Sequence, residues 1–268
     1  MKNKIVQPFL GLLAFFTFSI LATSCSKEAS TGGTGVVVTA KVAEFKNGDE
    51  FIKFSYNTDG SVQKVTLKSD LNTNGSTVEY NVLYNASKKM SELSSVSGEK
   101  IVPVYSNNNV LEKADIFTGS VKIGTILYEY QNNLLSKATI TTKTGALFIP
   151  ILEFRFQYSG DGNVTKISSF VPDFFNNNQM VSSGYVEFTY DNKPNPLHSQ
   201  KEVLSLLLQP SSKNNVATER HYDENGTLED VVTYTYTYNT SGLPTSAVVK
   251  SGLPNQPVTT TNLLIIYK

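Results

Sequence analysis

A tyrosine returns along this chain at the end of one strand-like run after another, and the residues after it keep a fixed spacing. Tyr56, Tyr84, Tyr105, Tyr158, Tyr222 and Tyr238 each close such a run. Six residues later stand Val62, Met90, Leu111, Val164, Leu228 and Pro244. Eight and nine residues later come a polar and then an apolar residue, as in Lys64-Val65, Glu92-Leu93, Lys113-Ala114, Lys166-Ile167, Asp230-Val231 and Ser246-Ala247. Tyr130 reaches Lys137-Ala138 one residue early. The intervening segments, among them Asn57-Thr58-Asp59-Gly60, Ser159-Gly160-Asp161-Gly162 and Asp223-Glu224-Asn225-Gly226, are turn chemistry. The repeating unit is therefore a β-hairpin. This constrains architecture strongly and activity hardly at all.

From Val36 onward the apolar period is two. Phe154, Phe156 and Tyr158 alternate with Glu153, Arg155 and Gln157, and Tyr234, Tyr236 and Tyr238 with Thr233, Thr235 and Thr237. Each such strand carries one aromatic face and one polar face, as an antiparallel sheet with one buried side requires. Counting runs between turns gives roughly 14–16 strands. Tight turns let a strand pair only with its chain neighbours, so the expected fold is all-β, an antiparallel up-and-down meander. A sheet that wide must curl or close into a barrel-like form. One segment breaks the pattern after Pro194-Asn195-Pro196. Ser199 to Glu202 has the spacing of a capping box, and Val203, Leu204, Leu207 and Leu208 share a helical face, so one short helix is expected near 199–208, packed on the sheet or plugging an end.

The first 24 residues have the layout of a signal peptide: Lys2 and Lys4, an apolar stretch from Phe9 to Ala22, then Thr23-Ser24-Cys25. This resembles a bacterial lipoprotein box, with Cys25 as the lipid-bearing residue. Residues 25–35 read as a flexible tether, Gly- and Ser/Thr-rich, and 36–268 as a single β domain. The exported chain would keep 244 of the 268 residues, long enough for one large core. Cys25 is the single cysteine, so neither a disulfide nor a cysteine metal site is expected in the domain. Loss of Lys2 and Lys4 leaves 21 basic residues against 23 acidic ones, and no basic run stands out, so nucleic acid is not expected as a partner.

Tyr190-Asp191-Asn192-Lys193-Pro194-Asn195-Pro196-Leu197, the helical segment, and Ser212-Lys213-Asn214-Asn215-Val216 together resemble a pattern of Bacteroidota lipoproteins of unknown function. Tyr238-Asn239-Thr240-Ser241-Gly242-Leu243-Pro244 is similar to that family's closing hairpin, and the hairpins are similar to tyrosine–aspartate repeats of large surface proteins. The resemblance implies a porin-like β fold and a place in the cell envelope. It implies no catalytic residue.

No catalytic motif, cofactor motif or metal-ligand spacing emerges from the residues themselves. His198 and His221 have no partner at a ligand spacing and read as ordinary polar side chains. Asp59, Asp161, Asp191 and Asp223 lack the calcium-loop spacing and suit turn hydrogen bonds. Glu129, Glu153 and Glu187 lie on polar strand faces, as solvated surface charges rather than a glycosidase pair. The acceptor triplets at Asn74, Asn163 and Asn225 are read as turn asparagines. The aromatic faces are core first, with a glycan platform or a lipophilic cavity as the ligand classes they would suit. Aromatic side chains turned outward would make a transmembrane barrel instead. The expectation is a non-catalytic outer-membrane lipoprotein, on the periplasmic or cell-surface face, held to the membrane by its lipid and acting as a binding or scaffold module. A carrier of a lipophilic ligand comes next, then a transmembrane pore or a glycan-active enzyme.

Overall fold

Hairpin chemistry repeated in one chain yields a ribbon of antiparallel strands, and here the ribbon meets its own beginning. The structure, a computed structural model, describes residues 40–68, 77–209 and 211–268. The first quarter of the barrel is β1 (Val42–Asn47), β2 (Glu50–Tyr56), β3 (Val62–Lys68) and β4 (Thr77–Tyr84). Then come β5 (Met90–Ser95), β6 (Glu99–Tyr105), β7 (Leu111–Thr118) and β8 (Val121–Gln131). Longer strands come next: β9 (Leu134–Thr144), β10 (Leu147–Tyr158), β11 (Val164–Asp173) and β12 (Gln179–Pro194). The last four are β13 (Asn214–Tyr222), β14 (Leu228–Tyr238), β15 (Pro244–Ser251) and β16 (Thr259–Tyr267). Each pairs antiparallel with its chain neighbours, and β1 pairs with β16 through Phe45↔Ile265, so the expected meander has 16 strands, at the top of the expected range, and closes into a barrel. Turns after even-numbered strands lie at one rim, together with the start of β1 and the end of β16. Turns after odd-numbered strands lie at the other.

The fixed spacing after each tyrosine has a physical cause in a β-bulge. In β2–β3, Ser55 pairs with Lys64 but Tyr56 pairs with Val62, so Gln63 is the extra residue. A bulge lets Val62 and Val65, three apart, both point inward, and both are buried. The same shift falls at Tyr84, Tyr105, Tyr130, Tyr158, Tyr222 and Tyr238. Tyr130 runs one residue early because its turn is shorter. Gln131 pairs with Leu134 across Asn132-Asn133, both at positive φ, the two-residue turn that asparagine tolerates.

The helical segment crosses from β12 to β13 as a 3-10 turn, Pro196–Gln200, running into α1 (Lys201–Leu206). It starts earlier than the expected 199–208 because Asn195, not Ser199, provides the cap: its side chain accepts the Leu197 amide, with Pro196 next to it. The Ser199–Glu202 capping box does not form. Ser199 Oγ donates instead to Gln200 Oε1, and Glu202 is taken by Tyr105. Leu208, at φ +59, ends the segment. Leu197, Val203, Leu204, Leu206, Leu207 and Leu208 are all buried in one cluster with strand residues from around the barrel. The segment is a plug.

Along most strands parity points the large aromatic and aliphatic side chains inward and the charges outward. Phe45, Phe54, Leu67, Leu93, Ile101, Ile126, Ile140 and Phe154 are buried inside. Outside, cross-strand ion pairs link Lys53 to Glu44, Lys64 to Glu79, Lys100 to Glu92, Lys137 to Glu129 and Lys166 to Glu187. Lys122–Asp115 and Arg155–Glu153 continue the belt.

Candidate functional site

Every even-numbered strand carries an inward tyrosine at or near its end at the plugged rim: Tyr56, Tyr84, Tyr105, Tyr130, Tyr158, Tyr190, Tyr238 and Tyr267. Strand parity puts them there, since each continues the alternation of its own strand, as in Phe54-Ser55-Tyr56 or Ile265-Ile266-Tyr267. Five hydroxyls donate to a backbone carbonyl at the start of the preceding odd strand. Tyr56 reaches Val42 at 2.5 Å, Tyr84 reaches Val62 at 3.0 Å and Tyr158 reaches Leu135 at 2.9 Å. Tyr190 bonds Val164 at 2.5 Å and Tyr267 bonds Pro244 at 2.7 Å. Because these carbonyls sit where turns and bulges interrupt the ladder, the phenols supply partners that the ladder lacks. Burial pushes all eight phenols up, Tyr84 and Tyr130 to about 12, so they stay protonated donors at neutral pH.

Three members of the ring depart from the rule: Tyr130 is partly open to solvent, and the other two hold the plug region. Tyr105 donates to Glu202 Oε1 on α1 at 3.0 Å. Tyr238 donates to Asp191 Oδ2, a carboxylate that also accepts the Lys193 and Asn215 amides. A third clip comes from Tyr56, whose hydroxyl accepts from Gln200 Nε2 at 2.7 Å. Asn163 ties the exit of the plug to the neighbouring turn, its Oδ1 accepting from the Lys213 and Asn214 amides. His198 Nδ1 lies 2.9 Å from Ser211 Oγ, and burial, helped by Lys201 and Lys213, lowers its pKa to about 3.

A second polar group lies deeper, on the inner wall of β13–β15. Glu219 is 1% exposed, accepts from Tyr234 Oη at 2.8 Å, and has His221 Nε2 3.2 Å from its other oxygen. Asp230, paired with His221 across the hairpin, accepts from Ser251 Oγ at 2.7 Å. Burial by itself would lower the His221 pKa. The hydrogen bond and charge of Glu219, with Asp230 and Glu229 behind them, outweigh it, and the imidazole titrates above its ordinary value. A serine nucleophile needs an imidazole at its hydroxyl. Here the Ser251 hydroxyl is held by Asp230 and the His221 ring by Glu219, so serine and histidine are not in contact as a triad requires.

The other sequence candidates are dispersed over the barrel. Asp59, Asp161 and Asp223 accept hydrogen bonds within their own turns, as turn chemistry predicts. Asp191 does not sit in a turn but joins β12, β13 and β14. Glu129, Glu153 and Glu187 face outward in ion pairs on separate strands, and Glu153 is buried beneath Arg155 rather than solvated. Tyr222 shares the hairpin spacing but lies at the opposite rim and faces outward, stacked on Tyr185 at 4.5 Å. Asn163 is buried as a clamp, Asn225 is exposed in its turn, and Asn74 and Cys25 lie outside the described residues. Among the described residues, no group of three or more His, Cys, Asp or Glu is placed to hold a metal ion. Sequence reasoning missed the Glu219 cluster, although Ala217, Glu219 and His221 alternate on one face just before the turn that brings back Asp230.

The sequence matches no family model and no curated protein. Among solved structures the chain is similar to a porin-like protein from Bacteroides uniformis, with TM-score 0.60 and 16% identity over 85% of this chain and 95% of that one. It is also similar to a porin-like protein from Bacteroides vulgatus, with TM-score 0.54 and 10% identity over 85% and 99%. At such identities the likeness is one of fold, and it agrees with the porin-like barrel that the family resemblance implies.

Proposed function

We propose that this chain is a non-catalytic envelope protein: a barrel standing in water, tethered by lipid at Cys25 to the outer membrane, and serving as a binding or scaffold module through its rims. The observation that carries this reading is the direction of the side chains. Seven ion pairs belt the outer surface while aromatic and aliphatic residues fill the inside with a plug of leucines. A charged residue facing lipid at mid-membrane costs about 2–4 kcal/mol, so a spanning orientation would carry that cost many times over. A pore is a poor reading for the same reason, since its water-filled lumen would be lined by Phe, Leu and Ile.

The test has two arms. The chain from residue 36 onward should dissolve without detergent and leave planar bilayers non-conducting; channel activity would overturn the reading. Cys25→Ala should abolish incorporation of labelled palmitate and release the protein from membranes. Unchanged labelling would remove the anchor from the proposal. Carriage of a lipophilic ligand is the second reading, and it requires the plug to leave, because its leucines occupy the tyrosine-ringed mouth. Lipid recovered in an organic extract of the purified barrel would favour that reading.

A further inference from the structure

Exposed apolar side chains crowd the rim opposite the plug, and the crowding begins where the barrel wall splits. Pairing between β10 and β11 ends at Glu153↔Phe170. Beyond that point β10 continues only with β9, down to Leu147↔Thr144, and β11 only with β12, to Asp173↔Gln179. Two hairpin arms therefore project past the wall. Pro150 and Pro172 lie on the two separated strands, and a proline has no N–H to extend a ladder. On and beside the arms Leu147, Phe148, Val171, Phe174, Phe175 and Val181 are exposed, as is Val121 at the adjoining turn.

We propose that these arms are a self-association surface and that a second copy of this chain covers them. The exposed area of the seven side chains is on the order of 700 Å², larger than the biggest apolar patch of a typical monomer and close to the ~800 Å² that each partner gives a stable interface. The arms also carry one charge of each sign, an exposed Lys143 beside Phe148 and Asp173 at the start of the other tip. A two-fold axis lays the first arm of one copy on the second arm of the other, so Lys143 meets the opposite Asp173. On the same rim Asp49, Asp223, Glu224 and Glu229 offset Lys122, Lys143 and Lys250, so no excess of positive charge draws an anionic membrane. Ala40, where the described chain starts, lies at the other rim. A proline on each separated edge removes a ladder donor there, which disfavours strand addition and leaves side-chain packing as the mode of contact.

The barrel closes within Val42–Tyr267, so the chain from residue 36 is suited to the test. Sedimentation velocity over a concentration series should show a reversible monomer–dimer equilibrium. Phe174→Ser combined with Phe175→Ser should weaken it on the order of 100-fold without lowering the melting temperature. Lys143→Glu should weaken it roughly tenfold, an effect that fades at high salt. Leu264→Ser on the outer wall should change nothing. A monomer at every concentration, or a dimer indifferent to the double substitution, overturns the proposal. So does flotation with phosphatidylcholine vesicles that is lost in the same double variant, which would make a membrane the occupant. These results leave the non-catalytic reading standing, since neither solubility nor conductance depends on the arms.

Discussion

Removing the plug should unfold this barrel rather than open it. Six side chains of the segment, Leu197, Val203, Leu204, Leu206, Leu207 and Leu208, are buried in the common core. Each contributes about 1.5–3 kcal/mol by burial. Together that is roughly 9–18 kcal/mol before counting the strand residues they cover, against a net stability of about 5–15 kcal/mol for a typical domain. Replacing residues 196–208 by a short Gly/Ser turn should therefore give a chain that lacks a cooperative urea transition. The graded version is Leu206→Ala, at a site with no solvent exposure, which should cost about 3–4 kcal/mol because the closed wall cannot collapse around the cavity. Urea unfolding monitored by far-ultraviolet circular dichroism reads both. A deletion variant that folds with an unchanged midpoint, or a loss under 1 kcal/mol for Leu206→Ala, would refute the reasoning, and the plug would be a removable lid over a self-supporting wall.

The same substitution should act oppositely at two tyrosines. Tyr267→Phe strips the Pro244 carbonyl of its partner and should cost about 1–3 kcal/mol. Tyr236→Phe should be neutral or slightly stabilising, because the buried Tyr236 hydroxyl has no hydrogen-bond partner among the described residues. The two histidines should tilt the pH profile in opposite senses. His221 titrates above its unfolded value, so its contribution is complete below about pH 6.5 and fades as pH rises through the folded pKa; His221→Gln should flatten that alkaline decline. His198 titrates near 3, so its burial stabilises above about pH 6.5 and is lost as pH falls toward 3; His198→Asn should remove that part of the acid loss, read as the difference between wild-type and variant urea midpoints. Gly184→Ala should cost about 2–4 kcal/mol, since Gly184 has φ +119 and a Cβ there would stand 2.5 Å from the Tyr222 carbonyl; an unchanged melting temperature would contradict the close approach.

Local chemistry made the strands, their turns and their inward faces legible. Asp59-Gly60 or Asn225-Gly226 can only be turns between such runs, and period two settles which residues share a side. The spacing after each tyrosine was visible as a regularity, but its cause was not, because a bulge is defined by two strands and the sequence displays one at a time. Closure was out of reach for the same reason: Phe45 and Ile265 pair from opposite ends of the chain, with no local sign of each other. Parity shows that Glu219 and His221 share a face. That Tyr234 and Ser251 arrive there depends on register across three strands. The start of the helix was missed because Ser199–Glu202 has the spacing of a cap while Asn195, already adjacent to proline, competes for the same end and wins.

The fold bears on function through an inversion. A membrane porin puts its apolar residues outside and water within, whereas this barrel turns its apolar core inward and carries ion pairs on its outer face. Nothing needs to pass through a lumen packed with Phe, Leu and Ile, and nothing on the charged mid-height belt has the aromatic depth to hold a ligand. What remains are the two rims, and they differ in kind. Most of the tyrosine rim is spent internally, seven of its eight phenols being committed to carbonyls, to Gln200 and Glu202, or to Asp191. The opposite rim has side chains left over: Leu147, Phe174 and Phe175 stand in solvent, and Phe148 stays largely open with the Lys122 ammonium over its ring. An isolated fold gains no stability from them there, which is why the proposed self-association is placed at this rim.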